Sequence, residues 1–137
     1  MLLDGLIAVL NANTAVNALV AGRVYKSELP RGYLLPAIAM HRYGGTQDYS
    51  FAGPIGVRED QIQIDCYAQD AATAQQVAGA VRAALAPFTG ALTDGTVVQC
   101  CYLERDMDMP FLPHADQKGI ANRTLLGFRV VSNEVNE

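Results

Sequence analysis

The sequence predicts an α+β fold, a mixed or antiparallel sheet of about four to five strands with two main helices packed on it. Three observations predict it. Residues 2–10 and 71–86 repeat their apolar side chains at helical spacing, residues 59–68 alternate with a strict period of two, and two long β-rich segments follow at 96–105 and 119–131. The order along the chain is helix, strand, loop, strand, helix, strand, strand.

The first helix places Leu2, Leu3, Leu6, Ile7, Val9 and Leu10 in one broad stripe. Asn11 and Asn13 interrupt it, and Asn13 or Thr14 can cap a second short turn that runs through Leu19 to Gly22, a helix-ending glycine. Arg23, Val24 and Tyr25 then start an extended segment. Pro30, Gly32 and Pro36 break the stretch that follows, and Pro36 leads into a strand from Ala37 to Tyr43. Residues 44–57, rich in glycine and containing Pro54, read as a long mobile loop.

In the strand that follows, Ile62, Ile64, Cys66 and Ala68 fall on one face, and Gln61, Gln63, Asp65 and Tyr67 on the other. That is the pattern of a half-buried antiparallel strand. Asp70 is placed to cap the helix after it, whose apolar face is Ala74, Val77, Ala78, Val81, Ala84 and Leu85. Pro87 and Gly90 end it. Residues 106–118, with Pro110, Pro113 and three aspartates, read as an exposed mobile loop, and the polar tail from Ser132 reads as frayed. The strands flanking the two loops are longer than the core requires, as strands are that continue a sheet across a subunit boundary.

The totals bound the function. One domain spans 1–137, half of its residues are apolar, and only 18% are charged, with a net charge of −4. The ten basic residues are scattered, so no basic stripe exists to grip nucleic acid. No apolar run approaches the roughly 20 residues of a membrane helix, and the N-terminus lacks a basic leader region. Three cysteines, Cys66, Cys100 and Cys101, read as reduced thiols in or near a core, so the expected setting is soluble and cytoplasmic.

Catalytic chemistry finds little footing. Cys66 lies on the apolar strand face, which favours packing over a Cys/His pair with His41 or His114. The carboxylate pairs Glu59/Asp60 and Asp106/Asp108 sit at a strand end and in a loop, where water satisfies them. Asp106, Asp108, Asp116 and His114 lack the spacing of a calcium loop, and Cys100-Cys101 has no partner pair for zinc. The sequence therefore predicts no enzyme, no cofactor and no metal. The residues it offers for partner contact are the loop aromatics Tyr49 and Phe51, the acidic pair Asp106 and Asp108, and Phe111.

The segment NALVAGRVYKSELPRGYLLPAIAMHRYG resembles the opening of the phage tail completion, or head–tail joining, proteins of long-tailed bacteriophages. A short helix ends at a glycine, an Arg-Val-Tyr triplet follows, and Pro36-Ala37-Ile38 opens a strand. DQIQIDCYAQDAATAQQVAGAVRAAL is similar to the family's second signature, a strand running into a helix that closes with Val81-Arg82-Ala83-Ala84-Leu85. RTLLGFRVV resembles its closing strand.

The resemblance spans residues 3–131; the paired cysteines and the 106–118 segment depart from the pattern. It implies a virion subunit made in a bacterial host cytoplasm. Copies of it form a ring, commonly a hexamer, that caps the tail tube and meets the connector or stopper proteins of the capsid. It implies no catalytic residue and no membrane, and DNA passes through the lumen without specific binding. The alternatives are a tail tube terminator proper, a minor head protein, or a small ligand-binding domain.

Overall fold

The computed structural model describes residues 2–27, 34–50, 53–92, 96–111 and 121–133. Helices α1 (Leu2–Ala12) and α2 (Thr14–Val20) come first, then strands β1 (Val24–Lys26), β2 (Ala37–Ser50) and β3 (Gly53–Ala68). Helix α3 (Ala71–Leu85) follows, then β4 (Gly90–Ala91), β5 (Val97–Phe111) and β6 (Ala121–Asn133). The strands form one sheet in the order β1-β2-β3-β6-β5-β4. Only β1 and β2 pair in parallel; every other pairing is antiparallel.

Local chemistry sets the helix ends. Asn13 takes an extended conformation and its side chain accepts from the Val16 amide at 3.0 Å, which breaks α1 from α2 at an angle of 89°. Ala21 (φ 50°) and Gly22 (φ 79°) both turn left-handed and stop α2. Asp70 caps α3, accepting from the Thr73 amide at 2.7 Å, and these bonds hold its carboxyl below the usual range. No helix among the described residues is long and apolar enough to cross a membrane.

All three helices lie on one face of the sheet. Leu3, Leu6 and Leu10 of α1, Val16 and Val20 of α2, and Val77, Val81 and Leu85 of α3 form one core with the sheet. The sheet contributes Ile38, Met40, Ile62, Ile64, Cys66, Val98, Cys101, Leu126, Phe128 and Val130 to it. Gly5 lets α1 approach closely: a Cβ there would sit 2.8 Å from Leu92.

The structure corrects the sequence reading in several places. The sheet has six strands rather than four to five, because β1 and β4 contribute only three and two residues, too short for a periodic signal. Residues 44–57 are not a loop: all but 51–52 belong to the β2–β3 hairpin. Glycine and proline lower local strand propensity there, but pairing across the hairpin supplies the backbone partners. Likewise Asp106 to Phe111 continue β5 along β6, while 112–118 lie outside the described residues. The second helical turn read at 14–19 is a full third helix. Ser132 and Asn133, read as the start of a frayed tail, close β6 with Ser132 buried, and residues 134–137 lie outside the described residues.

Candidate functional site

Among the described residues the sheet has two unlike faces, and two sides that short strands cover only in part. Register shifts interrupt both outer long strands, between Arg42/Gly44 and Gln47/Tyr49 on β2 and between Val98/Cys100 and Leu103/Arg105 on β5. Such bulges bend a strand and raise its twist.

At one end the β2–β3 hairpin outruns the sheet. Among the described residues the β3–β6 ladder begins at Val57 opposite Asn133, and the stretch from Gly53 to Gly56 pairs with β2. Tyr49 pairs with Pro54 near the tip of this arm, and Phe51 falls outside the described residues. The tip of the other hairpin points the opposite way, with Phe111 paired to Ala121 at the far end of β5. The four of the five expected contact residues that are described are therefore not one cluster. Tyr49 stands at one end of the sheet, and Asp106, Asp108 and Phe111 lie toward the other.

The base of the arm is held by a cluster that local sequence patterns did not single out. Asp60, only 3% exposed, accepts from Arg42 Nε at 2.7 Å and from Arg58 Nη2 at 3.4 Å. Gly45 makes the room: a Cβ there would stand 2.5 Å from both Arg42 Nη2 and Asp60 Oδ1. Reading Glu59/Asp60 as a solvated pair was wrong for Asp60. Its partner Arg42 comes from the neighbouring strand, and only the strand register reveals it.

Asp106 and Asp108 alternate on the helix-bearing face of β5 and bridge the sheet to α3. Arg82 donates to Asp106 at 2.7 Å, Gln75 donates to Asp108 at 3.1 Å, and the Thr124 hydroxyl donates to Asp108 at 2.6 Å. Together with Ala78 these side chains line a shallow cleft of about 200 Å³. It is polar and open; Asp106 is ion-paired with Arg82, and Asp108 is held by the neutral donors Gln75 and Thr124. Among the described residues no group of three or more His, Cys, Asp or Glu could hold a metal ion.

The opposite face carries no helix among the described residues. Buried polar groups there bind one another: Asp65 accepts from Gln63 Nε2 at 3.2 Å and from the Tyr67 hydroxyl at 3.4 Å. Burial and then the Asp65 charge push the Tyr67 hydroxyl pKa up. Arg129 binds Glu104 at 3.2 Å and lies over the Tyr102 ring, 5.9 Å from its centre.

The three cysteines are free thiols, as expected. Burial drives the Cys66 thiol far above its ordinary range and pushes Cys101 up to about 11, so both are held in the thiol form.

The fold is a single curled sheet with three helices on one face and its two long hairpins directed to opposite ends. The family described as Tail completion protein gp17 matches residues 4–109. The chain belongs to that family, and it is a bacteriophage virion structural protein. A solved structure described as "Virion of native gene transfer agent (GTA) particle" contains a chain that superposes with a TM-score of 0.75 at 22% identity. The match covers 96% of this chain and 93% of that one, and it shows the shared fold. No curated protein matches the chain.

Proposed function

We propose that this chain is the tail completion subunit of the head–tail junction, forming a ring that caps the tail tube and joins it to the capsid connector. It acts as a scaffold and not as an enzyme. The observation that supports this best is the pairing of family membership over 4–109 with a sheet whose two hairpins project from opposite ends. A piece placed between two different neighbours needs a contact at each end.

On this reading Tyr49 and Phe51 serve one neighbour, and Phe111 with the exposed sides of Asp106 and Asp108 serves the other. DNA traverses the lumen of a mildly acidic ring without a basic stripe to hold it.

Deleting the gene tests the role. The expected particles are filled heads and unjoined tails whose tubes lack the terminal ring, and purified protein added back restores both the ring and joining. Normal joined particles from the deletion strain overturn the reading.

A further inference from the structure

We propose that copies of this chain join edge to edge: the side of β2 beyond Met40 in one copy pairs antiparallel with the side of β5 beyond Val98 in the next. This rests on the ring reading above and names the contact that builds the ring.

The first observation is that both sides are open. β1 covers β2 only from Ile38 to Met40, and β4 covers β5 only at Val97 and Val98. Among the described residues no other strand pairs along 41–50 or 99–111 on those sides. Long rows of backbone donors and acceptors are a template for another strand.

The second is direction. Three successive antiparallel pairings, β2 with β3, β3 with β6 and β6 with β5, leave β2 and β5 running in opposite senses. Copies related by rotation about a common axis keep the sense of any strand that runs along that axis. β2 of one copy therefore meets β5 of the next antiparallel, with the ladder the sheet already uses. The contact joins two different surfaces, so it repeats around a ring and closes on itself.

The third is where exposed apolar side chains fall. Tyr43 on β2, and Val97, Tyr102, Leu103 and Met107 on β5, are 39–53% exposed, and Leu34 stands just before β2. Among the described residues the central strands β3 and β6 expose no large apolar side chain in this way.

The fourth is charge. On the helix-bearing face, Arg42 marks the β2 side and Asp106 the β5 side, each 40% exposed despite its internal partner. Edge-to-edge copies bring these opposite charges onto one continuous face.

The test disables one edge at a time. Tyr43→Lys charges the β2 edge, and Tyr102→Lys with Met107→Lys charges the β5 edge; all three side chains are exposed, so thermal melts should match the parent. Where the parent forms rings, alone at high concentration or on tail tubes, each variant should lose them and remain monomeric by light scattering and mass photometry. Mixed in equal amounts, the two variants have one working edge each and should form dimers and nothing larger. Gln76→Lys, on the exposed side of α3, should keep rings.

Rings that survive either edge variant, or a mixture giving only monomers or complexes beyond dimers, overturn the edge pairing and leave the ring reading intact. A parent chain that stays monomeric both alone and with tail tubes overturns the ring and the pairing with it.

Discussion

The two faces of this sheet are made of different residues for different ends. Under the helices lie Phe128, Leu126, Ile62, Ile64 and Met40, each at most 1% exposed, and the chain's stability resides there. The opposite face alternates small and polar side chains, among them Ala39, Gln63, Asp65, Gly127 and Arg129, with aromatics such as Tyr43 and Tyr102 left in solvent. The contrast teaches that one face is closed by the helices, whereas the other buries Ala37, Ala39, Asp65, Tyr67 and Leu125 but leaves Tyr43 and Tyr102 about half exposed. Four substitutions break or sharpen that contrast.

Phe128→Ala removes the largest fully buried side chain and should cost about 3–5 kcal/mol, read as a drop in the urea midpoint with unchanged slope. Asp60→Ala takes the shared carboxylate from Arg42 and Arg58. Both guanidiniums keep a partly solvated side, so the loss should be about 1–3 kcal/mol, with increased protease sensitivity confined to the β2–β3 arm.

Asn13→Ala deletes the cap between α1 and α2 and should cost about 1 kcal/mol in the same denaturation experiment. Tyr102→Ala, on the open face, should change monomer stability by less than about 0.5 kcal/mol. A loss from Tyr102→Ala as large as that from Phe128→Ala would erase the distinction between the two faces.

What the sequence made legible follows from the range over which each signal acts. Helix α3 was readable because its cap Asp70 and its stripe Ala74, Val77, Ala78, Val81 and Leu85 lie within one short window. The alternation from Gln61 to Ala68 was readable for the same reason, since Ile62, Ile64 and Cys66 face the core in strict turn. The arm was not. Gly44, Gly45, Gly53 and Pro54 have poor strand propensity, and their strand identity comes from partners across the hairpin.

The contact residues divide the same way. Asp106 and Asp108 were singled out for their charge but assigned to a loop, because Arg82 and Gln75, which bind them, sit on a helix 24 and 33 residues away. Arg42 and Asp60 were missed as a pair. The available signal was a lone arginine entering a glycine-rich stretch opposite an acidic strand, and it gains meaning only once Gly45 is seen to clear the space.

The opposed hairpins carry one last consequence. Copies standing side by side in the same sense have two rims that are chemically unlike, one fringed by the tips around Ser50 and Gly53 and the other by those around Phe111 and Ala121. An annulus with unlike rims works as a keyed coupling. In the ring proposed above, that coupling seats one way up only, with its polarity set by the direction of two strands.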